Sequence, residues 1–323
     1  MVVCQLASAA LVTLMALPGL STVLLAALLF VVILVESPFL SARAALLVDV
    51  LPDDRYVLAS GVGQLTIQGT QVLGFALGGL LLRVLDPAEA LLLDAATFLF
   101  AAALVRVVVR QRDAVGDPAE MGGNWQRLKD GARVVFGDRR LRGLVLLAWL
   151  ATFWVVPEAL AAPYAGPNAP TALGLLLAAQ PIGSVAGGLV LTRLVPPAVR
   201  LQLMGPLAVL ASVPLLFFAV TPSVPLAVAL LIVSGIGTSY NLPANAAFMQ
   251  AVPAERRGQA FGLVAAGLVA GQGVSIALAG ALAEAVGSPA AVITAAGVLG
   301  MAGALALSGA GRRFLAAPAP AVN

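Results

Sequence analysis

Apolar runs of about 17–25 residues, the length a helix needs to cross roughly 30 Å of hydrocarbon, follow one another along nearly the whole chain. Ten can be marked, near 1–17, 22–44, 57–84, 89–109, 141–157, 172–194, 201–220, 225–248, 259–283 and 290–310. A soluble core would break such runs with polar faces every few residues. It would also carry about 25% charged residues, whereas this chain has 10%, with 61% hydrophobic residues and a mean hydropathy of +1.02. Period-two alternation is weak and Ala, Leu and Gly dominate. The expected fold is therefore an all-α membrane protein rather than a barrel of strands.

The chain has one cysteine, Cys4, and no histidine. A lone cysteine forms no intramolecular disulfide, and these residues build no zinc cluster. The commonest general base is missing as well. The expectation is no metal, no cofactor and no enzymatic activity.

Two stretches are versions of each other. Asp49-Val-Leu-Pro52-Asp-Asp54-Arg55-Tyr-Val-Leu-Ala59-Ser-Gly61 matches Gln250-Ala-Val-Pro253-Ala-Glu255-Arg256-Arg-Gly-Gln-Ala260-Phe-Gly262. Pro, acid, Arg, Ala and Gly recur in step, and the register continues through Gln71 with Gln272, Leu77 with Leu278, and Gly79 with Gly280. A long-period repeat in so apolar a chain is the mark of a transporter built from two related halves. An even number of spans separates the copies, so the halves run parallel.

The one long polar stretch, from Arg110 to about Arg140, divides the chain. Residues 1–109 are expected to form an amino-terminal bundle of four spans and 110–140 a cytoplasmic linker. A six-helix bundle over 141–311 and a cytoplasmic tail over 312–323 complete the plan. Within 124–136, Trp125, Leu128, Ala132, Val135 and Phe136 share a helical face, with Arg127, Lys129, Asp130 and Arg133 elsewhere. That pattern reads as an amphipathic helix lying on the inner leaflet, or as a solvated linker. With both termini in the cytoplasm, every one of the 18 basic residues except Arg83 falls on the inner side, as the positive-inside rule requires. The expected location is the plasma (cytoplasmic) membrane, multi-pass. The basic residues follow topology, so no nucleic-acid partner is expected.

Four phrases carry a family resemblance. They are Pro38-Phe-Leu-Ser-Ala-Arg43-Ala-Ala-Leu-Leu-Val-Asp49-Val-Leu-Pro52, Leu73-Gly74-Phe-Ala-Leu-Gly78-Gly79, Leu93-Asp94-Ala-Ala-Thr-Phe98-Leu and Arg127-Leu-Lys-Asp-Gly131-Ala-Arg-Val-Val. Together they resemble the major facilitator superfamily, closest to bacterial exporters of the enterobactin and drug type. The resemblance covers essentially all of 1–311. It implies two pseudo-symmetric bundles, a midplane site for a small amphipathic substrate, and efflux by proton antiport through alternating access. It also implies twelve spans. The repeated pair is fourth and fifth in the second half but second and third in the first. About 10 of the usual 12 helices are thus expected, with the first two absent. The chain is expected to act as a monomer, with its substrate, protons and the lipid bilayer as partners. The alternatives are a non-transporting remnant of such a transporter, a channel, or a permease subunit.

Glu36 is the candidate of greatest interest. An acid at a helix centre costs about 2.5–3.5 kcal/mol on insertion scales, so it faces a cavity or a partner. Arg43, two turns on, is its sequence-derived partner. The pair is either a proton-coupling or substrate-binding site or a structural ion pair. Asp94 is a coupling site or a polar anchor. Gln64, Gln68 and Gln71 form a polar strip on one span, Gln272 repeats Gln71, and Asn241 and Asn245 lie on a later span. These face either a cavity or a neighbouring helix. Asp49, Asp54 and Arg55, with Glu255 and Arg256, are placed to form a cytoplasmic gate of exposed pairs worth about 0–1 kcal/mol each, or are solvated loop charge. Gly74, Gly78, Gly79 and Gly280 are expected to let helices approach closely.

Overall fold

The computed structural model describes residues 1–50, 53–109, 132–133, 135–166, 169–252 and 257–315. All regular structure among them is helical. Side chains of Arg43, Asp49, Asp54, Arg55, Gln64 and Gln68, together with residues Glu255 and Arg256, lie outside the described residues, as does most of 124–136. The chain divides into two compact units, Met1–Gly116 and Asp117–Asn323.

The first unit contains α1 (Val2–Met15), α2 (Thr22–Val50), α3 (Asp53–Leu81) and α4 (Pro87–Val108). Pro18 and Gly19 turn the chain after α1, with Gly19 at φ +82°, a conformation that a Cβ disfavours. Asp86 starts α4 through a reciprocal cap. Its carboxylate accepts from the Glu89 amide at 2.8 Å, while the Glu89 carboxylate accepts from the Asp86 amide at 3.0 Å. Helix α1 packs against both α4 and α2. The apolar contact is small: Val12, Val32 and Ala95, flanked by Leu11, Leu91 and Phe98. On α4, Phe100 is 70% exposed and Val107 83% exposed, a surface suited to hydrocarbon rather than water.

In the second unit the first span breaks into α5 (Arg139–Trp149), α6 (Ala151–Trp154), α7 (Val156–Ala159) and α8 (Ala161–Ala165). The sequence pattern expects one helix ending near residue 157; the apolar segment instead runs from Arg139 to Ala165. Pro157 and Pro163 lack the N–H that would bond four residues back, which accounts for the breaks near Val155 and Leu160. There follow α9 (Pro170–Leu194), α10 (Pro197–Leu216) with a 3-10 turn over Phe217–Val220, α11 (Val224–Thr238), α12 (Asn241–Ala251), α13 (Arg257–Val286) and α14 (Pro289–Leu315). Helix α9 packs on α11, and α10 packs on α11 and α14.

Glycines set these contacts. A Cβ on Gly183 would overlap the Ile232 carbonyl, one on Gly235 the Gln180 carbonyl, and one on Gly237 the Ala211 backbone. At Gly74, Gly78 and Gly280, where close approaches are expected, an added Cβ meets nothing within 4 Å among the described residues. A glycine brings helices together only where a neighbour's backbone lies opposite it.

Seven helical segments are long and apolar enough to cross a membrane among the described residues, and Val2–Met15, Thr22–Glu36 and Gly69–Leu81 are shorter apolar helices. All of them fall on the runs marked from sequence.

Candidate functional site

Helix α1 carries one polar pair on its packed face. Its buried residues are Gln5, Ser8, Ala9 and Val12, the i, i+3, i+4, i+7 stripe of one helical side. Gln5 is 3% exposed and Ser8 is 0% exposed. Both reach across to α2. The Ser8 hydroxyl donates to Glu36 Oε1 at 3.0 Å, and Gln5 Nε2 donates to the same oxygen at 3.3 Å. Glu36 itself is half-buried. Its Oε2 has no partner among the described residues.

The site therefore holds a carboxylate inside an apolar helix with two neutral donors on one of its oxygens. A hydrogen bond to a charged group is worth about 1.5–3 kcal/mol, comparable to the cost of placing the acid at that depth. Neutral partners matter chemically. A serine hydroxyl both donates and accepts, and an amide offers either its NH2 or its carbonyl. Either protonation state of Glu36 can be satisfied by rotating the hydroxyl and turning the amide. An arginine partner, which only donates, would favour the charged state alone.

Among the described candidates of the first unit, Asp94 makes its bond elsewhere than at this site. Asp94 is exposed on α4, and its carboxylate takes a local bond from the Thr97 hydroxyl at 3.4 Å. Gln71 on α3 and Gln272 on α13 are both half-buried. Gln5 and Ser8 are the residues that sequence reasoning passed over. Their signal was present: two polar side chains three apart in a helix otherwise built of apolar and small residues.

A second polar cluster lies in the other unit, where two spans are interrupted. The segment Val224–Ala251 breaks between α11 and α12 at Ser239 and Tyr240. Tyr240 is fully buried, and its hydroxyl donates to the Leu147 carbonyl at 2.8 Å. That carbonyl belongs to the last turn of α5, where the next helical piece begins after Leu150. Trp154 stands edge-on to the Tyr240 ring at 5.3 Å and donates its indole N–H to Ser212 at 3.1 Å. Asn241 is half-buried beside the break and makes a side-chain hydrogen bond to Tyr240, whereas Asn245 is exposed. Trp149 adds a bond to the Val264 carbonyl at 3.1 Å. Every one of these donors is matched to an acceptor, and the cluster contains no ionisable carboxylate. It can tie broken spans together; it has no group to carry a proton.

No group of three or more metal-ligating side chains occurs among the described residues. A model of the Major Facilitator Superfamily matches residues 1–252 and again residues 161–319. No curated protein matches the chain.

Proposed function

The chain belongs to the Major Facilitator Superfamily and is thus a multi-pass α-helical secondary transporter; from that premise we propose that it exports small amphipathic compounds, of drug or siderophore type, in exchange for protons. Glu36 is the proton carrier. What supports this is the pairing of its carboxylate with Gln5 and Ser8 alone among the described residues. The proton binds at Oε2, and the two neutral partners reorient to suit either state. A membrane potential of 100 mV supplies about 2.3 kcal/mol per charge moved, enough to bias the exchange.

In this reading the substrate crosses the membrane by alternating access. Both termini lie on the cytoplasmic side of the plasma membrane, in keeping with the distribution of arginines. The repeat, six helices in period, supports reading the helices as members of a twelve-helix plan.

The test uses the purified chain in proteoliposomes with ethidium as an amphipathic probe. An imposed pH gradient should drive ethidium across the membrane. Glu36→Gln should abolish that response and leave exchange of ethidium down its own gradient intact. A gradient-driven rate unchanged by Glu36→Gln would remove Glu36 from coupling.

A further inference from the structure

A cavity of about 390 Å³ opens between the end of α9, the start of α10 and the length of α12. Its walls are apolar, formed by Leu191, Leu201, Leu242, Pro243 and Ala246, and its polar lining includes Arg200 and Gln250. Arg200 is held in place from behind. Its Nε donates to the Val195 carbonyl at 2.8 Å and its Nη2 to the Thr192 carbonyl at 2.9 Å. Those two bonds close the carboxyl end of α9, and a cation is favourable there. They spend only part of the guanidinium. Its remaining donors have no partner, and no carboxylate neutralises its charge, among the described residues. Gln250 is exposed at the rim.

The depth of the cavity narrows what it can take. Three apolar segments meet at it: Pro170–Leu194 ends there, Val199–Val220 begins there and Val224–Ala251 ends there. Span ends lie at the level of lipid headgroups, not at the bilayer midplane. An anion reaching Arg200 from this level would carry an apolar part suited to the leucine and alanine walls. A guanidinium with free N–H groups suits phosphate oxygens.

We propose that this cavity binds a phosphate-bearing amphiphile, an anionic phospholipid of the surrounding leaflet, with its phosphate on Arg200 and the first carbons of its chains against Leu191, Leu242 and Ala246. The site is separate from Glu36 and lies wholly within the second unit.

Native mass spectrometry of the full chain in detergent tests it, with phosphatidylglycerol, phosphatidylcholine or inorganic phosphate added in turn. Phosphatidylglycerol should be retained in preference to phosphatidylcholine. Arg200→Gln should lower that retention about tenfold, the size expected when charge-assisted hydrogen bonds are lost. Because Arg200 also caps α9, a second variant is needed: Ala246→Phe fills the cavity and leaves the cap, and it should lower retention similarly at an unchanged melting temperature. Arg200→Lys should retain part of the lipid. Displacement of phosphatidylglycerol by millimolar inorganic phosphate would place the same phosphate chemistry on Arg200 and show that a soluble anion also reaches it. Equal retention by the wild type, Arg200→Gln and Ala246→Phe would overturn the proposal, as would equal retention of phosphatidylcholine.

Discussion

The two units use their buried polar groups in opposite ways. In the second unit, the hydroxyls and indoles of Tyr240, Ser212, Ser234, Trp149 and Trp154 bond to backbone carbonyls or to one another. They stand among a wide apolar core and helices brought together by Gly183, Gly235 and Gly237. In the first unit the described apolar contact is small, and the buried polar residues Gln5 and Ser8 converge on a carboxylate. One half fixes broken spans with hydroxyl and indole groups and no carboxylate. The other surrounds a titratable group with partners able to serve both of its states. The difference teaches that polarity inside a membrane protein is not one signal. A polar side chain bonded to backbone holds shape, and a polar side chain bonded to a carboxylate can follow a change of charge.

The largest effect should come from the glycine contacts. Gly235→Val places side-chain atoms where the Gln180 carbonyl lies, and overpacking of this kind costs about 1–3 kcal/mol or more. A clear fall in melting temperature in detergent, or loss of folded protein, is expected. An unchanged melting temperature would break the contrast on the side of the tightly packed half.

Tyr240→Phe removes the hydroxyl from Leu147 while keeping the ring against Trp154. The Leu147 carbonyl keeps the Leu150 amide, so the lost hydrogen bond should cost about 0.5–1.5 kcal/mol, visible in the same melt. The pH dependence of transport should not move, because no titratable carboxylate is involved.

Ser8→Ala should do the reverse. Its effect on melting should be smaller, since Gln5 stays on Glu36. Glu36 loses one of its two donors, and the pH profile of ethidium exchange should therefore change. Ser8→Thr, which keeps the hydroxyl, should restore the original profile. A profile unmoved by Ser8→Ala would mean that the bond is structural only.

The smallest effect belongs to Gly78→Ala. The added Cβ meets nothing within 4 Å, and alanine is the better helix former by about 1 kcal/mol at most. Melting should stay the same or rise slightly. A large destabilisation would show that Gly78 makes a close approach after all.

Much of the fold was legible in the sequence because span length is set by the bilayer and not by packing. Each of the seven membrane-length segments found among the described residues overlaps an apolar run, and Asp86-Pro87 and Pro18-Gly19 fall where the chain turns. The first span of the second unit was longer than its pattern suggested, because Pro157 and Pro163 break a segment without ending it. Glycine roles were not legible. Gly183 and Gly187 stand at the same small-residue spacing that drew notice to Gly74 and Gly78. Only the backbone opposite tells them apart. The site was half legible. A carboxylate at Glu36 demands partners, and that demand follows from the cost of burying charge. The partners Gln5 and Ser8 lie on a different helix, and the sequence alone does not say which face of α1 meets α2. Tyr240 was harder still, since its acceptor at Leu147 depends on where another span happens to break.

The central claim is that Glu36, held by Gln5 and Ser8, is the group that exchanges a proton during transport. Infrared difference spectroscopy of the purified chain across a pH titration measures this without any substrate. Wild type should show a protonated-carboxyl stretch that changes across the titration and is absent in Glu36→Gln. Identical difference spectra for wild type and Glu36→Gln would contradict the account.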